Sequence, residues 1–484
     1  MRATTRHLNG GREHGGDRGW WLIVAVVVVA PVLGAIAAIL WRTPLPVSEA
    51  VALLEDVTRK PRLAFLVPDT AYYRPFFHIV LSTIWNADVS IEARVAAIRV
   101  LQIAPVVALA GLFLLHVRPR TLVDAAAAAG ATAVLLGSPG LRDNLEIPLS
   151  YTTVGMPLAL AAWHLLVSPP RRWHTAAVVA LTVAAVGFKE QGLAIVALVV
   201  AAWVTRAPSA TRTQAVILVV LALAYVALRF AWHPRMATFE QAIGLGFREV
   251  STSEATARFG TFPYLVYAYS GLATIGNVLF SEPSAGVFSI VRAIGDGTAE
   301  WWQYIHLAAS IGLTTLLAWW ATGELVHARR SGWTDEARTV VALVLVLAAC
   351  GALSFNYSRD RLGGMAVPFY ALAAFHALRA AARRVTELPR WRFEAAAAGL
   401  VLLASLWHIR AVGTVEAVRV TAARNQMEWL TSLAQRTRDF ADRPVYLSIL
   451  DSLRAQGTAE SAPLPTNYPR PIMGVFSPAN VQAP

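Results

Sequence analysis

From Trp20 to Leu40 the chain runs without a charged side chain. A helix needs ~20 such residues to cross the ~30 Å hydrocarbon core of a bilayer. Several later windows reach the same length, so the chain has the signature of a polytopic membrane protein. Composition agrees: 56% of the 484 residues are hydrophobic, 15% are charged, and the mean hydropathy is +0.50. A soluble core of this size would show more charge and shorter apolar runs. The first run is longer than the apolar region of a secretory signal, and no small-residue cleavage site follows it. It therefore reads as a retained first span.

Apolar periodicity places spans at about 20–41, 95–117, 121–138, 152–168, 174–188, 191–205, 213–232, 303–327, 338–355, 363–379 and 393–409. The expected fold is all-α, with about eleven transmembrane helices. The net charge of +12 is not a nucleic-acid signature, because the arginines fall in short loops between spans. With the N-terminus in the cytoplasm, the loops at 118–120, 170–172, 205–212, 327–338 and 379–392 are basic and lie inside, as the positive-inside rule requires. The stretch 262–291 is apolar but broken by Gly, Asn and Ser-Glu-Pro-Ser, and reads as an interfacial or re-entrant piece. The chain divides into a membrane domain over 1–410 and a short helical extension over 411–484 with a loose end. The single cysteine, Cys350, leaves no intrachain disulfide.

Between two apolar runs the chain reads KEQG, with Lys189 beside Glu190. An acid and a base in hydrocarbon surroundings are costly to desolvate, so they need a structural partner or a function. The only other lysine is Lys60; every remaining basic residue is arginine. A mutual salt bridge at a helix end is the competing structural explanation. The flanking spans are short, ~22 Å at 1.5 Å per residue, which sets the turn below the outer surface, lining a protein cavity.

Other ionisable residues gather on the same expected outer face. The first outer loop carries Glu49, Glu55, Asp56 and Asp69, then YYRPFFHIVLSTIW, which fits a helix lying in the interface with Arg74 at its start. The second loop holds Arg142, Asp143 and Glu146, and the late loop FNYSRDRLGG holds Arg359, Asp360 and Arg361. No phosphate-binding glycine loop, HExxH pair or metal-ligand cluster is present in the sequence.

These pieces resemble, in order, the polytopic glycosyltransferases with the C-type (GT-C) fold, and within them the members similar to protein O-mannosyltransferases. The likeness rests on an acid soon after the first span (Glu49), a YYRP segment (Tyr72 to Pro75), Lys189-Glu190 after the fifth span, and SRDRLGGMAVPFY late in the chain. YVALRF, with Arg229, is a weaker match. The family places Asp after span one where this chain has Glu49, and Glu55 and Asp56 are rivals for that place.

The resemblance implies an enzyme that moves a sugar from a polyprenyl-phosphate donor to an acceptor hydroxyl on the outer face, with inversion. The expected base is Glu49, with Asp56 as the second candidate. Lys189 and either Arg74 or Arg359 are expected to bind the donor phosphate, and Glu190 belongs to the same substrate site by orienting Lys189. No cofactor, metal or nucleic acid is expected. The expected partners are the lipid-linked donor, membrane lipids and a protein, lipid or glycan acceptor. The expected location is the inner (plasma) membrane, with the site facing the periplasm or exterior. Two other classes stay open: a lipid-linked oligosaccharide polymerase or ligase, which the outer stretch 233–302 permits, and a transporter or flippase of lipid-linked sugars.

Overall fold

The computed structural model describes residues 19–47, 49–67, 73–146, 153–228, 243–245, 248–250, 252–260, 264–281, 286–355 and 360–458. The first span is α1 (Trp20–Val24), a π-turn over Ala25–Val29 and α2 (Ala30–Arg42). Three helices follow before the chain re-enters the bundle: α3 (Glu49–Arg59), α4 (Pro75–Trp85) and the long α5 (Ile91–Val117). Next come α6 (Leu122–Gly137), α7 (Pro139–Glu146), α8 (Gly155–Val167), α9 (His174–Phe188), α10 (Ala194–Val204) and α11 (Arg212–Ala227). A hairpin of β1 (Ile243–Leu245) and β2 (Arg248–Val250) pairs antiparallel, with Ile243 opposite Val250. The remaining helices are α12 (Thr252–Phe259), α13 (Tyr264–Leu279), α14 (Gly286–Gly295), α15 (Trp301–Ser331), α16 (Asp335–Leu353), α17 (Val367–Val385), α18 (Arg390–Asp439) and α19 (Pro444–Thr458).

Among the described residues the architecture is thus helical apart from one short hairpin. Among the described residues, six helical stretches are long and apolar enough to cross a membrane. The pair α6 and α7, bent by 50°, makes a seventh if it is one span. The other expected spans coincide with α8, α9, α10 and α11, which are apolar and 11 to 16 residues long among the described residues, the end of the expected span 213–232 lying outside them. At 1.5 Å per residue each falls short of the ~30 Å hydrocarbon core, which is why length alone counts six or seven and periodicity counts about eleven. The segment 262–291 contains α13 and α14, joined where Asn277 Oδ1 accepts from the Val287 amide at 2.7 Å.

The centre of the bundle is α6. Its sequence, LVDAAAAAGATAVLLG, buries Ala127, Ala128, Ala131 and Ala133, and small side chains let neighbouring helix backbones close in. Helices α17 and α18 pack on it. A Cβ at Gly137 would sit 2.9 Å from the backbone nitrogen of Ala411, so α18 rests directly on the end of α6. At the start of α6 a capping box from Thr121 and Asp124 closes the helix, and Asp124 also meets Arg379 of α17 at 2.6 Å.

A second core lies outside this bundle. Val47, Leu54, Phe77, Leu81, Trp85 and Ile98 from the first loop and α5 pack with Trp429 of α18 and with Tyr446, Ile449 and Leu453 of α19. Helix α18 continues without a break through residue 410 to Asp439, and the expected loose end beyond α19 lies outside the described residues. Trp429 Nε1 donates to the Leu45 carbonyl at 2.6 Å, and α19 fits against the indole at Gly457, where no Cβ has room. Buried Arg99 of α5 donates to the Thr43 carbonyl and to Gln102 Oε1 (2.8 Å), and Gln102 in turn donates to the Leu145 carbonyl at 3.0 Å. The chain leaving the first span is thereby pinned from α5 on one side and α18 on the other.

Glu55 closes this unit. Its carboxylate, 2% exposed, accepts from Arg443 Nε at 3.3 Å and from Arg443 Nη2, and pairs with Arg59 at 2.7 Å. The bonded carboxylate holds the Arg443 guanidinium above its ordinary pKa. Arg443→Ala leaves a buried carboxylate with Arg59 as its remaining cationic neighbour among the described residues, and should cost about 2 kcal/mol, less than a fully buried pair because Arg443 is partly exposed. Thermal unfolding in detergent checks this: Arg443→Ala with Glu55→Gln should recover most of the loss.

Candidate functional site

The turn after α9 is built from its own four residues. Lys189 is extended (φ −162°, ψ 146°), which ends the α-helix, and a 3-10 turn over Glu190–Leu193 leads into α10. The Lys189 amide donates to the Ala185 carbonyl at 2.9 Å, and the Gly192 amide donates to the Lys189 carbonyl at 2.8 Å. The chain folds so tightly here that a Cβ on Gly192 would overlap the Val186 nitrogen and lie 2.7 Å from the Ala185 carbonyl oxygen. Glycine is the residue that permits this approach. The result is three consecutive buried polar residues: Lys189 (6% exposed), Glu190 (8%) and Gln191 (6%).

Two neighbouring elements bring charge to this turn. Helix α4 starts at Pro75, and its Phe76 ring lies over Gly187, where a Cβ would meet ring carbons at 2.7 and 2.9 Å. That contact carries Arg74 to Glu190, with Nε 3.6 Å from the carboxylate and both side chains about nine-tenths buried. From the other side come α7 and the 3-10 turn Asp360–Ala366. Asp143 Oδ2 accepts from the Arg361 amide at 2.9 Å, and Asn144 Nδ2 donates to the Arg361 carbonyl at 3.2 Å. Lys189, Gln191, Asn144 and Arg361 line a cavity of about 10 Å³, together with Gly192 and Met365. That is room for roughly one water molecule.

Lys189 therefore sits in the field of Glu190, Arg74, Arg361 and Asp143. Counted in their ordinary ionisation states, three of these five groups are cations and two are carboxylates, an excess of one positive charge. In a site withdrawn from water that excess attracts an anion far more strongly than it would at a surface.

The residues expected from the sequence are distributed as follows. Arg74, Lys189 and Glu190 come together. Glu49 is exposed in the first turn of α3. Asp56, on the same helix, pairs with Lys60 at 3.0 Å. Arg359, Tyr72 and Arg229 lie outside the described residues. Arg361, Asp143 and Asn144 join the cluster without having been singled out as binding residues. Arg361 stands two positions from Arg359 in the same loop, and no local signal separates two arginines so placed. Asp143 carried only the signal of an acid in a loop.

No family model matches the chain, and no curated protein matches it. A crystal structure of ArnT from Cupriavidus metallidurans bound to undecaprenyl phosphate is similar in fold, with a TM-score of 0.40 and 14% sequence identity. The similarity covers 94% of this chain and 76% of that one.

Proposed function

We propose that this chain is a GT-C-type membrane glycosyltransferase that moves a sugar from a polyprenyl-phosphate donor to an acceptor hydroxyl. The observation that carries the proposal is the cluster of buried Lys189 and Glu190 with partly buried Arg74, Arg361 and Asp143, in which cations outnumber carboxylates. It is built where a short membrane helix ends and the first-loop helices begin. A lipid-linked phosphate presents its anion at that level while its chain remains among the spans. Lys189 and Arg74 face the leaving phosphate, with Arg359 as the further candidate from the late loop. Glu190 orients both cations.

The reaction is a single displacement at the anomeric carbon, with inversion. The acceptor oxygen bonds to that carbon, the bond to the phosphate oxygen breaks, and the acceptor proton passes to a carboxylate within hydrogen-bond reach. Polyprenyl phosphate leaves with its charge stabilised by the cations. Glu49 is the proposed base because its carboxylate is exposed. Glu55 is held by two arginines, and Asp56 is paired with Lys60. The proposed setting is the inner membrane, with the N-terminus cytoplasmic, the site facing outward, 1–410 as the membrane domain and 411–484 as its extension.

A radiolabelled panel of polyprenyl-phosphate hexoses, incubated with the purified protein and membrane glycan extract, tests this. Transfer of label is expected with at least one donor. Glu49→Gln should abolish transfer and leave donor binding intact, and Asp56→Asn should retain most turnover. Full activity in Glu49→Gln with a dead Asp56→Asn would move the base to Asp56. If the protein carries lipid-linked sugar across vesicles and transfers none of it, the enzyme reading fails.

A further inference from the structure

A second cleft lies at the far end of α4. Its volume is about 560 Å³, and it opens between the start of α5, the end of α4 and the exposed side of α19. That size falls in the ~300–1,000 Å³ range of small-molecule sites. Its lining combines Trp85 and Arg94 with Thr58, Asn86, Ser448 and Ser452. The Arg94 guanidinium is stationed over the Trp85 ring, 5.7 Å from its centroid. Its Nε is buried with no hydrogen-bond partner, and among the described residues Arg94 forms no ion pair. The Ser448 hydroxyl likewise has no partner among the described residues and is exposed on α19. Thr58 and Ser452 spend their hydroxyl hydrogens on the Leu54 and Ser448 carbonyls, leaving their oxygens as acceptors.

We infer that this cleft binds an anionic glycan, its carboxylate or phosphate on Arg94 and its hydroxyls on the serine, threonine and asparagine side chains. A guanidinium seated over an aromatic ring, with no acid partner among the described residues, is suited to a two-point anion contact. Hydroxyl acceptors and donors spaced along α19 suit a polyol, and neutral apolar ligands are disfavoured because they would leave Arg94 desolvated and unpaired. The cleft is separate from the Lys189 cluster: Arg74 and Trp85 mark opposite ends of the 11-residue α4, ~16 Å apart at 1.5 Å per residue. That spacing suits an acceptor chain several sugars long, with one end anchored here. The acceptor role rests on the glycosyltransferase reading, whereas binding to the cleft does not.

Equilibrium dialysis of the full chain in detergent against radiolabelled glucuronate, with glucose and inorganic phosphate as competitors, tests the inference without any donor. Saturable glucuronate binding is expected, with glucose a weak competitor. Arg94→Gln should weaken binding about tenfold or more, the usual effect of losing a charged hydrogen-bond partner. Ser448→Trp, which fills the cleft from its exposed wall, should abolish binding and keeps the test decisive if Arg94→Gln folds poorly. Competition by inorganic phosphate would assign a phosphorylated glycan, and its failure a uronic-acid one; both uphold an anionic cleft. Absence of saturable binding, or binding unchanged by both substitutions, overturns it.

Discussion

Lys189→Met should lower transfer from a polyprenyl-phosphate donor about 10²- to 10³-fold, the range seen when one preorganised charge-stabilising group is removed. The substitution keeps most of the length of the side chain and removes its charge and its three N–H donors. Of the five groups in each other's field, the balance then falls from one positive charge in excess to zero. The phosphate that leaves during transfer gains charge on the bridging oxygen, so the loss falls chiefly on turnover. Lys189→Arg should not restore activity. The cavity beside it has about 10 Å³ of room, and a planar guanidinium is larger than an ammonium and needs more than one direction of approach. Single-turnover transfer with prebound donor measures the effect directly. Near-normal turnover in Lys189→Met would mean that the buried pair is structural, and the catalytic reading of the cluster would fall.

Gly192→Ala is expected to cost about 3 kcal/mol or more. The added methyl group meets backbone atoms of Ala185 and Val186, which cannot rotate away as a side chain could. To relieve the overlap the 3-10 turn has to lift off the end of α9. That displaces Lys189 and Glu190, so activity should fall together with thermal stability. Gly399 provides the comparison: it lies within α18, and a Cβ there meets nothing within 4 Å. Gly399→Ala should be neutral or stabilising by up to ~1 kcal/mol, since alanine favours helix more than glycine does. Equal melting temperatures for the two variants would show that the turn is looser than its geometry implies.

Much of the architecture was legible because a bilayer reads one-dimensional properties. Apolar length and loop arginines announce membrane helices whatever their packing. The buried charge at Lys189 and Glu190 was legible for the same reason, since charge inside an apolar run is visible without coordinates. Arg74 was legible through its proline, which marks the start of α4. The number of full spans was not, because α8 to α11 are apolar without being long, and composition does not say whether a neighbour covers their ends.

The sequence by itself determined that the chain is helical, that it belongs in a membrane, and that a charged turn interrupts its apolar runs. Tertiary structure alone decided which charges meet. Glu55 and Arg443 are 388 residues apart in the chain, yet they share one contact. Asp143 holds the Arg361 amide across 218 residues. Trp429 ties α18 to Leu45, which makes the first loop and the described helices α18 and α19 one core. Hydrophobicity acts on a residue wherever it stands, so it can be read from order and composition. A hydrogen bond or an ion pair needs a partner within a few ångströms, and only the packing of distant helices supplies that partner.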